Sequence, residues 1–87
     1  MKIFFIGISG TFMGNLAQMA SHLGHDVAGV DQKVYPPMSD ELAKSGISFK
    51  EGYTEENFQD ADIYILGNVI SKDNPLLIKI LSHGKNI

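Results

Sequence analysis

Cysteine, arginine and tryptophan are all absent from this 87-residue chain, and proline occurs only three times. Without cysteine there is neither a disulfide framework nor a thiolate metal site, and a reducing compartment is compatible with the chain. Without arginine, the seven basic side chains are scattered lysines in a chain of net charge −3 and pI near 5.4. That balance argues against a nucleic-acid partner. No apolar run approaches the ~20 residues that a membrane span requires, so no membrane association is expected. The apolar start "MKIFFIGIS" runs directly into glycine without a small-residue cleavage pattern, which excludes a signal-peptide reading. A Walker loop, a Ser/His/Asp arrangement and a paired acid–base constellation are also missing. His22, His25 and His83 stand at no metal-ligand spacing, so no metal site is expected. Glu51, Glu55, Glu56, Asp60 and Asp62 read as a solvated edge.

What is present suits one small domain, or part of a larger protein. A hydrophobic fraction of 44% against 20% charged residues is neither disordered nor fibrous. A chain of this length buries roughly 60–65% of its unfolded surface, enough for a core with little margin. "KIFFI" is a continuous apolar run of strand length, as in a parallel strand covered on both faces. Phe12, Met13, Leu16, Ala17, Met19, Ala20 and Leu23 recur at helical spacing, with Gly24 placed to end the helix, and Met13 and Met19 read as core. "HDVAGVD" is a second strand ending at Asp31, and "QKVYPPM" a connection, because Pro36 and Pro37 cannot donate to a ladder. Ser39 is placed to cap a second helix that stops at Gly46. "ISF" supplies a third strand, Thr54 to Phe58 one helical turn, and "ADIYILGN" a fourth strand. Asn74-Pro75 opens a last helix, carrying Leu76, Leu77, Ile80 and Leu81 inward and stopping at Gly84. "KNI" begins a fifth strand that is cut off, so the chain reads as a fragment. This alternation predicts an α/β, Rossmann-like parallel sheet of order 3-2-1-4-5 flanked by helices and truncated at the C-terminus.

The chemistry concentrates in "GISGTFMG", Gly7 to Gly14, between the first strand and the first helix. A dinucleotide-binding loop reads G-x-G-x-x-G; here Ser9 and Phe12 stand at the second and third glycine positions. Backbone N–H groups at a helix start are unpaired, and the helix dipole favours an anion there. Gly7 and Gly10 allow a tight turn and close approach of a ligand, and Ser9 and Thr11 add hydroxyls. The bland alternative is a strand-to-helix turn that binds nothing. Asp31, at the carboxyl end of the second strand, suits a ribose hydroxyl or a base N–H, or else is a solvated loop carboxylate. "GNVISKDN" follows the fourth strand at the same sheet edge, where Asn68 and Ser71 offer amide and hydroxyl contacts and Asn74 caps its own helix. Ser9 and Phe12 obstruct a nicotinamide-dinucleotide pose, whereas a nucleoside diphosphate approaching differently fits.

"GISGTFMGNLAQMASHLGHDVAGVD", "VYPPMSDEL" and "GNVISKDNP" together resemble the N-terminal domain of the Mur ligases, over essentially all 87 residues. The resemblance lies nearest to members that join UDP-N-acetylmuramate to the murein tripeptide L-alanyl-γ-D-glutamyl-meso-diaminopimelate in peptidoglycan recycling. It implies a cytoplasmic, three-domain, ATP-dependent ligase involved in cell wall biogenesis, of which residues 1–87 are the UDP-N-acetylmuramate-binding domain. It further implies a central domain for ATP and Mg²⁺ and a third domain for the incoming peptide. The carboxylate would be activated as an acyl phosphate and attacked by the peptide amine. By resemblance, Gly7, Ser9, Gly10, Thr11, Phe12 and Met13 face the diphosphate, Asp31 the uridine, and Asn68 and Ser71 the sugar. Ser9 departs from the cysteine frequent in this subfamily. The family's ATP loop would lie beyond Ile87, so the chain is expected to be inactive alone, with no cofactor of its own and a sheet edge prone to self-association. Two alternatives are the family members that add L-alanine and the dinucleotide domain of an oxidoreductase.

Overall fold

The computed structural model describes residues 1–67, 70 and 72–82. Along the chain run β1 (Lys2–Ile6), α1 (Thr11–His22), β2 (Asp26–Asp31), α2 (Met38–Lys44), β3 (Ser48–Glu51), a 3₁₀ turn (Glu55–Asn57), β4 (Ile63–Leu66) and α3 (Pro75–Ser82). The strands form one sheet of order β3-β2-β1-β4, every pairing parallel. This matches the first four positions of the expected order. The expected fifth strand and the stop at Gly84 fall outside the described residues.

β1 is buried on both faces, which explains its unbroken apolar sequence. Ile3 and Phe5 join a core with Ala17 of α1, Leu42 of α2 and Val27 of β2. Phe4 and Ile6 point the other way, into a core with Val30, Tyr64, Leu76 and Ile80. Phe4 meets Tyr64 edge to face, with ring centroids 5.8 Å apart. Burying each such side chain contributes roughly 1.5–3 kcal/mol.

Local chemistry sets the helix ends. After α1 and α2, Gly24 (φ 95°) and Gly46 (φ 75°) take left-handed conformations. His25 N–H then reaches back to Ala20 O, and Ile47 N–H to Leu42 O, so both helices close by the Schellman pattern. Asn74 Oδ1 accepts from Leu76 N–H (3.0 Å) and Leu77 N–H (3.3 Å), capping α3.

Three expectations are corrected. α2 begins at Met38 with no side-chain cap, and Ser39 lies inside its first turn with its N–H on Tyr35 O. Met19 and Leu81 are exposed rather than core, because the sheet covers only one side of each helix and these residues fall on the other. Glu51 and Asp62 do more than solvate an edge: Glu51 Oε2 accepts from Val34 N–H (2.8 Å) and Asp62 Oδ2 from Lys2 N–H (2.7 Å).

Candidate functional site

The carboxyl ends of β1, β2 and β4 meet at one edge of the sheet, where ligands of open α/β sheets bind. Gly7 and Ile8 dock there through N–H bonds to Val30 O, at 2.8 and 3.2 Å, and Gly67 N–H reaches Ile6 O at 2.8 Å. Gly7 holds φ 92°, which only glycine adopts without strain. A Cβ on Gly7 would also meet the Gly67 backbone at 3.5 Å. Gly10, by contrast, has φ −62°, so it is not the residue on which the turn depends for a left-handed backbone.

The loop's shape comes from a buried side chain that the glycine pattern hides. Ile8 is fully buried and lies on Gly29 of β2, where a Cβ would stand 2.5 Å from Ile8 Cδ1 and 3.0 Å from Phe5 O. Gly14 does the same for helix packing: a Cβ there would fall 3.2 Å from Ile8 O and 2.5 Å from Met38 Sδ. Gly14 and Gly29 thus permit the close approach that the third glycine of a dinucleotide fingerprint ordinarily provides. Phe12, at that fingerprint position, instead stands 75% exposed at the rim.

The loop and the start of α1 border a cleft of about 620 Å³. Gly7, Ser9, Gly10, Thr11, Phe12, Met13 and Asp31 all line it, joined by Leu16, Ile65, Leu66 and Gly67, which the sequence did not single out. The expected Asn68 and Ser71 lie outside the described residues. Gly10 is the N-cap, and no side chain bonds to the helix start or places a carboxylate in its first turn. The first helical bond runs from Gly14 N–H to Gly10 O at 2.7 Å, so the N–H groups of Thr11, Phe12 and Met13 precede it. Among the described residues, none lining the cleft is a cation; what the cleft offers an anion is those donors and the helix dipole.

Asp31 faces the loop itself. Its Oδ2 accepts from Ser9 N–H (2.9 Å) and Ser9 Oγ–H (2.6 Å), and its Oδ1 from Gln32 N–H (2.8 Å) and the Tyr53 hydroxyl (3.0 Å). A carboxylate has about four lone-pair positions, and here all are engaged. Burial, and then the Asp31 charge and hydrogen bond, push the Tyr53 phenol well above its usual range, so Tyr53 remains a donor. Tyr53 lies 22 residues from Asp31 in sequence, and only the parallel pairing of Asp31 with Glu51 brings it near; no local signal marks it.

Comparison with known proteins adds to this geometry. The profile described as "Mur ligase family, catalytic domain" matches residues 2–86. A UDP-N-acetylmuramate–L-alanyl-γ-D-glutamyl-meso-2,6-diaminoheptandioate ligase of Escherichia coli (strain K12) is 46% identical over the whole chain, which spans 19% of that relative's length. A UDP-N-acetylmuramate–L-alanine ligase of a Sulfurihydrogenibium species is 36% identical over 95% of the chain, which spans 18% of that protein. The crystal structure of a murein peptide ligase from Psychrobacter arcticus superposes with a TM-score of 0.94 at 39% identity, covering 99% of this chain and 18% of the other.

Proposed function

This chain belongs to the Mur ligase family, and from that membership we propose that residues 1–87 are an N-terminal domain that binds UDP-N-acetylmuramate. On this proposal it serves a three-domain, ATP-dependent, cytoplasmic ligase that joins the sugar's carboxylate to the amine of the murein tripeptide. The observation that carries the reading is the bare start of α1, with three N–H donors, no cap and no acidic side chain, opening on the cleft. Those donors suit a diphosphate, which needs many hydrogen bonds at one point and tolerates backbone partners. Gly7 turns the chain toward the ligand, Ile8 anchors the loop in the core, and Asp31 holds it from behind through Ser9. Asn68 and Ser71 are assigned to the sugar side. Greater identity to the tripeptide-named relative than to the alanine-named one, 46% against 36%, favours the tripeptide as acceptor.

ATP with Mg²⁺ would supply the phosphoryl group that activates the carboxylate. None of the 87 residues forms a G-x-x-x-x-G-K-[ST] loop, so no residue here is assigned to either. The role of this chain is to hold the nucleotide end, so that the reacting carboxylate is presented at a fixed distance from it.

Calorimetric titration tests the reading. UDP and UDP-N-acetylmuramate are expected to bind more tightly than NADH, and equal or tighter NADH binding would reverse the assignment. Gly10→Val is the decisive variant. A Cβ at Gly10 meets only Gly7 O, at 3.9 Å, and φ −62° is open to valine, so the variant should fold. Its branched side chain stands beside the donors of the first turn and is expected to abolish UDP binding almost completely. Near-normal UDP affinity in the folded variant would reduce "GISGTFMG" to a turn.

A further inference from the structure

We propose that the flank of α1 beside β4 is the surface on which the rest of the ligase docks, through a stripe of Phe12, Leu16, Met19 and Leu23. The inference rests on membership of the family and is independent of which anion the cleft takes.

At 3.6 residues per turn these four positions fall within an arc of about 60°, in a stripe roughly 16 Å long. Phe12 is 75% exposed, Met19 60%, and Leu23, at the C-cap, 73%. A surface helix ordinarily turns charge toward water, yet Thr11–His22 contains no Asp, Glu, Lys or Arg. The shorter α2 carries Asp40, Glu41 and Lys44. Aromatic residues and methionine without charge are the composition of an interface centre. The opposite flank of α1 belongs to α2: Gln18 lies against Met38, and Ser21 Oγ–H donates to Ser45 O at 2.8 Å.

The sheet leaves a gap on the same side. Strands of a parallel sheet are covered on both faces. Tyr64 of β4 is buried with Leu76 and Ile80 of α3, whereas Ile65 turns to the α1 side and is only partly buried. Ile63 shares that face by strand alternation and is also partly buried. Among the described residues, α1 packs on β2 and α2, and α2 on β3, while α3 holds the far face, so no helix covers Ile63 and Ile65. Stripe and strand form the wall and floor of one apolar trough.

Size and position indicate what fills it. The chain spans 19% of the Escherichia coli relative and 18% of the Psychrobacter arcticus structure, so most of such a ligase lies outside the matched residues. Phe12 and Leu16 also line the cleft at the loop. A segment seated in the trough therefore reaches the mouth of that cleft, where the parts that perform the ligation have to stand.

The test introduces single cysteines into this cysteine-free chain as Met19→Cys, Leu23→Cys and, for a control on α2, Lys44→Cys; all three positions are exposed. Each is made in the 87-residue chain and in the full-length ligase that contains it, and maleimide labelling is followed by peptide mass. Met19→Cys and Leu23→Cys are expected to label at least about tenfold more slowly in the ligase, because a docked segment must open first. Lys44→Cys should label equally in both. Met19→Glu combined with Leu23→Glu should lower the melting temperature of the ligase and leave that of the chain unchanged, since the charge is buried only where the trough is filled. Equal labelling of chain and ligase at Met19 and Leu23 overturns the docking surface. Slow labelling of the chain itself that quickens on dilution also overturns it, by assigning the trough to a second copy.

Discussion

At the scale of single residues, Asp31 and Tyr53 matter most because together they hold the loop, Asp31 through Ser9 and Tyr53 through Asp31. Hydrogen bonds to a charged partner contribute about 1.5–3 kcal/mol when buried. Those from Ser9 and Tyr53 are part-buried, that from Gln32 is exposed, and all share one carboxylate, so Asp31→Ala is expected to lower stability by about 2 kcal/mol in total. It should also weaken UDP binding by releasing Ser9 and the loop. Chemical denaturation and UDP titration on one preparation check both outcomes; unchanged stability with lost affinity would mean that Asp31 contacts the ligand directly. Tyr53 makes the linkage visible in pH. Its phenol is raised above the ordinary value near 10, so the fold favours the neutral form. That contribution is fully present below the unfolded pKa and is lost as pH rises above it. Melting temperature should therefore fall more steeply above about pH 10 in wild type than in Tyr53→Phe. Parallel curves for the two would count against the Asp31 link.

At the scale of elements, the approach of the loop to β2 is set by the missing side chain at Gly29. Gly29→Ala would bring a methyl within 3.0 Å of Phe5 O as well as against Ile8. A strand carbonyl cannot yield as a side chain can, so overpacking of about 1–3 kcal/mol is expected. Because Ile8 lies between Gly7 and Ser9, the shift should reach the loop and reduce UDP affinity as well. Gly10→Ala is the matching control, since its Cβ enters nearly open space and its stability should stay close to wild type. Thermal melts of the two variants decide the point: equal melting temperatures would show that Gly29 is not the constraint.

At the scale of the whole molecule, the two sheet edges differ. β3 presents exposed Ser48, Lys50 and Glu51, and charge on a short edge strand discourages pairing. β4 reads Ile-Tyr-Ile-Leu with no charge and, among the described residues, pairs only with β1. Such an edge invites a second copy, and this chain is expected to self-associate through β4 as concentration rises. Sedimentation equilibrium measures this, and a clean monomer at high concentration would refute it.

The sequence by itself determined the features that depend on a few adjacent residues. "KIFFI" had to be a strand covered on both faces, Gly24 and Gly46 had to end helices, and Asn74-Pro75 had to begin one, because propensity and capping act within one turn of chain. The glycine loop was likewise legible as a tight turn into a helix, and that helix starts with no side-chain cap. Tertiary structure alone decided what those elements present to one another. Phe12, Met19 and Leu81 follow the helical period yet face outward, since periodicity does not say how much of a helix the sheet will cover. Asp31 was legible as a polar group at the end of β2, but only parallel pairing with β3 brings Tyr53 to its second oxygen, from 22 residues away. Ile8 and Gly29 fit together for the same reason: the contact exists only once β1 and β2 lie in register, and a register is a property of the sheet rather than of either strand.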